Sequence, residues 1–154
     1  MKLIWLGHGS WRLEIEDQVL LIDPWLSGNP MMEDQDHSAA VAGATQILVT
    51  HGHFDHTNGV AALSKGLGVP VNGMVELVAA LAADGAVGGL EYNKGGHAMF
   101  GNVRATLVPA SLSSSLVGQG AGGAETGFMI RGLGRTLYFS GDTDIMADMD
   151  WIGD

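Results

Sequence analysis

Apolar and polar positions divide the chain into short strands, two helices and several polar connections. Lys2 to Leu6 is an apolar run that reads as a strand. From Trp11 to Glu16, the residues Trp11, Leu13 and Ile15 alternate with Arg12, Glu14 and Glu16. That is the period of a strand with one face in the core. Val19 to Ile22 is continuously apolar and stops at Asp23-Pro24, with Glu16-Asp17-Gln18 as the hairpin turn before it. Residues 27 to 38 read as a mobile polar loop. Gln46 to Thr50 is apolar and β-branched, the composition of a buried strand. Thr57-Asn58-Gly59 offers capping groups to a helix through Val60, Ala61, Leu63 and Ser64. Met74, Leu77, Val78 and Leu81 recur at helical spacing and predict an amphipathic helix that ends at Asp84-Gly85. Strands return at Ala98 to Phe100, Val103 to Val108, Gly127 to Arg131 and Thr136 to Ser140. Between them, Ser113 to Ala124 reads as a flexible Ser/Gly-rich loop. Mixed strands and helices in this order predict an α+β fold with a sheet beneath helices.

Composition sharpens this picture. A chain of 154 residues without a linker or repeat suits one domain, residues 1–154. Its 24 glycines exceed the usual share of about 7%, and their scatter indicates many tight turns. The absence of cysteine removes disulfides, thiolate metal sites and thiol nucleophiles. A formal charge of −10 disfavours nucleic acid and anionic membranes as partners. No run approaches the roughly 20 apolar residues of a membrane span. The apolar N-terminus is too short for a signal-peptide core, so a cytoplasmic protein is expected.

The chemistry concentrates in His51-Gly52-His53-Phe54-Asp55-His56, directly after a buried strand. His51 and His53, two apart, can face the same side. Asp55 and His56 follow one turn later and can close on the same ion or on a second beside it. Neutral imidazoles and carboxylates are the ligands that zinc takes. Gly52 leaves room for close backbone approach. Asp142 follows another apolar strand and either bridges two metals or caps a helix. Asp23 either orients a ligand or makes a turn before Pro24. His8 lines the pocket or caps its Gly-rich turn. His37 and His97 read as solvated, and the serines at 113 to 115 have no base beside them in sequence.

Gly7-His8-Gly9-Ser10, Ile22-Asp23-Pro24, Thr50 to His56 and Ser140-Gly141-Asp142-Thr143 follow the motif order of the metallo-β-lactamase superfamily. The chain resembles its ascorbate-6-phosphate lactonase-like branch of metal-dependent hydrolases. Val108-Pro109-Ala110 before the Ser run and Gly127-Phe128 resemble that branch too. The resemblance implies an αββα sandwich of two similar halves, with the metal site at one edge between the sheets. It implies a first metal on His51 and His53, a second on Asp55 and His56, and Asp142 bridging them. Zn2+ is the implied ion, one or two per chain, with Mn2+ as the alternative.

The sequence departs from the family in two places. Leu112 stands where relatives carry a third histidine for the first metal, and its side chain is expected to face His51 and His53. Relatives also continue to a late histidine that completes the second site. The chain is thus expected to be a C-terminally truncated member, covering the N-terminal two-thirds of the sandwich, with an impaired site. The intact design hydrolyses an ester, lactone or phosphoester of a small polar substrate through metal-activated water, with Asp55 moving the proton. The competing expectation is a non-catalytic metal-binding remnant, or a fragment that pairs with another chain, which leaves a homo-oligomer open.

Overall fold

The computed structural model describes residues 1–116 and 120–153. Its larger sheet has six strands in sequence order: β1 (Lys2–Trp5), β2 (Trp11–Ile15), β3 (Gln18–Ile22), β4 (Gln46–Val49), β5 (Pro70–Gly73) and β6 (Val87–Glu91). The first three pair antiparallel, and β3 to β6 run parallel. The parallel connections carry α1 (His37–Val41), α2 (Phe54–Thr57), α3 (Val60–Leu67) and α4 (Val75–Ala83). A second, antiparallel sheet joins β7 (His97–Phe100), β8 (Val103–Pro109), β11 (Thr126–Gly132) and β12 (Arg135–Phe139) in the order β12-β11-β8-β7. A small hairpin pairs β9 (Ser115–Leu116) with β10 (Gly120–Ala121). The last helix, α5 (Met149–Gly153), buries none of its residues.

Two apolar clusters explain why the strand patterns differ. Leu20, Ile22 and Leu48 face the second sheet and meet Ala105, Leu107, Phe128 and Ile130. Leu21, Ile47 and Val49, on the opposite face, meet Met32, Val41, Val60, Leu77 and Leu81 from the helical side. A strand stretch covered on both faces must be apolar throughout, as Leu20–Ile22 of β3 and Ile47–Val49 of β4 are. The second sheet is covered on one face only: Ala98, Phe100, Val103 and Ala105 point inward, while Met99 and Tyr138 are exposed. The layers described are thus helices, six-stranded sheet and four-stranded sheet. No helix among the described residues is long and apolar enough to cross a membrane.

Several local expectations need correction. Arg12 is buried, although the alternation in β2 places it in solvent. Its guanidinium donates to the carbonyls of Ala40 and Ala42 at the end of α1 and to Glu14, satisfying orphan helix-terminal oxygens. Residues 27 to 38 are not wholly irregular: Asn29, buried, caps a 3-10 turn at Pro30–Met32, and Asp36 caps α1, which begins at His37. The capping expected from residues 57 to 59 is also absent. Gly59 at φ 79° begins α3 without a side-chain cap, while Asn58 donates to Ser27 and Thr57 to His53. Within 113 to 124 the expected loop carries one short hairpin, β9–β10, and residues 117–119 lie outside the described residues. Strands β5 and β6 have no counterpart in the sequence reading.

Candidate metal centre

Three strand ends and one turn converge at one rim of the two sheets. Asp23 leaves β3, Thr50 and His51 leave β4, Asp142 follows β12, and His8 sits in the β1–β2 turn. The rim is tied across the sheets by Thr126, whose Oγ1 donates to the Thr50 carbonyl at 2.6 Å. Gly141, at φ 60°, lies against Thr50 so closely that a Cβ there would come within 2.9 Å of the Thr50 side chain. Only glycine passes here, and the tight turn delivers Asp142 to the rim.

Asp23 is the buried anchor. Its Oδ1 accepts from the Thr50 backbone N–H at 2.7 Å, and its Oδ2 accepts from Thr50 Oγ1 at 2.6 Å and His56 Nδ1 at 2.8 Å. The Asp23 backbone adopts φ 45°, uncommon for a residue with a Cβ. These contacts fix which nitrogen of each ring is free. Thr50 Oγ1 spends its proton on Asp23, so toward His51 Nδ1, 3.0 Å away, it can only accept. His51 Nδ1 therefore carries the hydrogen, and its Nε2 keeps a lone pair. His56 Nδ1 likewise donates to a carboxylate, leaving a lone pair on Nε2. His53 contacts Ser113 Oγ through Nε2 at 3.2 Å, which turns its Nδ1 toward His51.

The free atoms face one another. His51 Nε2 and His53 Nδ1 are 3.1 Å apart. Two nitrogens on one tetrahedral ion, with bonds of about 2.0–2.1 Å, lie roughly 3.3 Å apart. His51, His56 and Asp142 form one ligand group, and His8, Asp55 and His56 form another; within each, the ligating atoms lie within 4.8 Å of one another. His56 Nε2 is fully buried without a hydrogen-bond partner, 3.3 Å from Asp142 Oδ1. A buried lone pair left unsatisfied is costly, and a cation bound by these residues removes the cost. The residues present therefore fit one or two divalent ions.

Electrostatics separates the two buried rings. Burial, reinforced by His56, lowers the His51 pKa to about 4, so this ring is neutral and ready to ligate at pH 7. Burial pushes His56 down as well, but its hydrogen bond to Asp23 and the charges of Asp23, Asp142 and Asp55 outweigh that, and its pKa rises. A proton and a metal thus compete for His56 Nε2.

The structure brings His51, His53, Asp55, His56 and Asp142 to this rim, together with Asp23 and His8. His97 is elsewhere, beside Arg104. His37 is not solvated as expected: half-buried, it contacts the Met32 carbonyl. Sequence reasoning named Thr50 and set aside Ser113 and Ser114 for want of a neighbouring base, and did not foresee their contacts with His51, Gly52 and His53. Ser114 Oγ accepts from the Gly52 N–H at 3.0 Å, and a Cβ on Gly52 would come within 3.1 Å of the Ser115 carbonyl. The serine loop therefore lies over the histidine run, a contact spanning about sixty residues that no local pattern announces. Leu112, next to Ser113, is 45% exposed, so it is not an ordinary core residue. A larger concavity of about 660 Å3 lies along β1 and the 3-10 turn. Neither ligand group borders it; a cleft of about 150 Å3 lined by Trp11, Asp23, Thr50, His56, Phe139 and Asp142 does reach them.

Comparison with known proteins shows the family and the fold. The model of the beta-lactamase superfamily domain matches residues 18–154. A UPF0173 metal-dependent hydrolase of Ruegeria sp. (strain TM1040) is 54% identical over the whole chain, which spans 68% of that relative. One from Dinoroseobacter shibae is also 54% identical, with the same coverage. Among solved structures, Igni18, a metallo hydrolase from Ignicoccus hospitalis, superposes with a TM-score of 0.79 at 26% identity, over 98% of this chain and 64% of that one. The diiron β-hydroxylase CmlA of Streptomyces venezuelae shares the fold (TM-score 0.71, 22% identity, 96% of this chain and 30% of that one). With the histidine run, Asp142 and the paired sheets in place, this chain belongs to the metallo-β-lactamase superfamily and matches the N-terminal part of its UPF0173 relatives.

Proposed function

We propose that this chain is a metal-dependent hydrolase acting on an ester, lactone or phosphoester of a small polar substrate. The observation that carries the reading is His56 Nε2, buried and without a hydrogen bond, beside Asp142 and His51. The names of the Ruegeria relative and of Igni18 support the same chemistry. His51 and His53 would hold one ion, Asp55 and His56 a second, with Asp142 between them; zinc suits this N/O donor set, and Mn2+ is the alternative. Such ions supply Lewis acidity toward a substrate oxygen and make water nucleophilic at neutral pH.

The residues of the chain do the rest. Asp55, partly exposed at the rim, takes the proton of the attacking water as the new bond to carbon or phosphorus forms. It returns that proton to the leaving oxygen as the old bond breaks. Asp23 moves no proton; its three hydrogen bonds hold His56 and Thr50 in place. The cleft of about 150 Å3 has room for a small polar group.

One observation favours a second reading. Leu112, where the family has its third histidine, offers no lone pair, which fits a metal-binding domain with little or no catalysis. Hydrolysis of lactone, phosphodiester and thioester panels by the zinc- or manganese-loaded chain separates the readings, with the full-length Ruegeria relative as reference. Turnover that is chelator-sensitive, lost in Asp55→Asn and far below the reference fits the hydrolase with an impaired site. Bound metal with no turnover on any panel leaves the non-catalytic reading standing.

A further inference from the structure

His8 is the strongest unused feature of the rim. Its Nε2 lies 3.1 Å from Asp55 Oδ2, and both belong to a ligand group with the buried His56. The backbone at His8 adopts φ 50°, a left-handed conformation that a side chain disfavours. Three contacts hold it there. Trp5 Nε1 donates to the His8 carbonyl at 2.8 Å, the His8 N–H meets Met31 Sδ at 3.3 Å, and the Trp25 ring lies edge-on to the imidazole. The flanking turn is shaped around His56 as well, since a Cβ on Gly9 would come within 2.8 Å of the His56 ring.

The lone pair of His56 Nε2 can serve one ion, although both ligand groups include it. Assigning it to the ion with Asp55 leaves His51, His53 and Asp142 for the other. We propose that His8 Nε2 is a ligand of the second ion, which then has His8, Asp55 and His56 from the chain and Asp142 shared. The second ion then has four protein ligands, a full tetrahedral set, while the first keeps His51, His53 and the shared Asp142 with a position left open, the pattern of catalytic zinc sites. The β1–β2 turn thereby becomes part of the metal centre, and its strained backbone aims a ligand that neither the histidine run nor Asp142 supplies.

This inference rests on the proposed metal-dependent function, and Co2+ titration followed by visible absorption and calorimetry tests the two separately. His8→Ala and His8→Gln are compared with the unaltered protein; Gln keeps an N–H that can hydrogen-bond Asp55 but does not replace imidazole as a ligand. The unaltered chain is expected to take two equivalents, and both variants to keep the first while binding the second at least tenfold more weakly. Circular dichroism of the metal-free variants checks that they fold. Wild-type affinity for the second ion in His8→Gln would overturn the assignment and leave His8 as a hydrogen-bond partner of Asp55. An unaltered chain that takes one equivalent overturns it too, with the metal-dependent reading intact. No metal at all would sink both.

Discussion

His51 and His56 are fully buried, and each has its Nδ1 tied to an oxygen of the Asp23–Thr50 pair. His8, Asp55 and Asp142 approach the same space from the surface, with 36–42% of their side chains exposed. The buried half is set before any ion arrives, because its donors and acceptors are assigned by a carboxylate that cannot donate. The open half is positioned by turns: the strained β1–β2 turn, the single turn α2 and the Gly141 turn. Preorganisation costs buried polar groups that must all be matched, while exposed ligands leave room for substrate. A centre with one half of each kind can hold ions firmly on one side and exchange ligands on the other.

The sharpest way to break this division is to remove its anchor. Asp23→Ala strips partners from His56 Nδ1, the Thr50 N–H and the Thr50 hydroxyl at once. Breaking a buried charged contact typically costs about 3–5 kcal/mol. In a chain of this size that lowers the melting temperature by on the order of 10 °C. Scanning calorimetry of the metal-free protein measures it, and a shift within 2 °C would show that the anchor is dispensable.

A smaller effect is expected from Thr50→Val, which keeps the shape but removes the acceptor that holds the His51 tautomer. Losing such an outer partner typically costs 10- to 100-fold in metal affinity. Competition with a chromophoric chelator reads it, and unchanged affinity would mean the His51 tautomer needs no support. Leu112→His tests the open half. With Leu112 already exposed, the change should leave the melting temperature nearly unaltered and tighten zinc binding. Unchanged affinity would show that position 112 does not reach the ion.

The buried half should also show itself in acid. His51 is neutral in the fold down to about pH 4, whereas in the unfolded chain it takes a proton near 6.5. Its contribution is therefore complete above pH 6.5 and is lost as the pH falls toward 4. His56, with a raised pKa, has the opposite sign: its contribution is present below 6.5 and is lost as the pH rises through its folded value. Metal-free His51→Asn should thus lose less stability than the unaltered chain between pH 6.5 and 4, by on the order of 5 °C in melting temperature. Equal losses would contradict a neutral His51.

Much of this arrangement is legible in the sequence. The histidine run and Asp142 follow apolar strands, and strand ends in a mixed sheet reach one rim. The helix at Met74 to Leu81 is carried by its own spacing, with all four residues buried. What was hidden depends on contacts between distant segments. β5 contains Pro70 and Gly73, and β6 has two glycines, so neither has strand composition. They are joined through Asn72, whose side chain donates to Gln46 and accepts from Leu90. Arg12 in its alternating strand is indistinguishable from a solvated residue until α1 supplies carbonyls. Ser113 meets His53, and Thr126 meets Thr50, only after the two sheets stack.

The central claim is that the rim holds metal through the residues described. Metal content by mass spectrometry, on protein reconstituted with zinc and desalted, tests it most directly. The unaltered chain should retain two equivalents, and His51→Ala/His53→Ala should lose the one that this pair holds. Retention of the full metal content in the double variant, or no metal in the unaltered chain, would contradict the account.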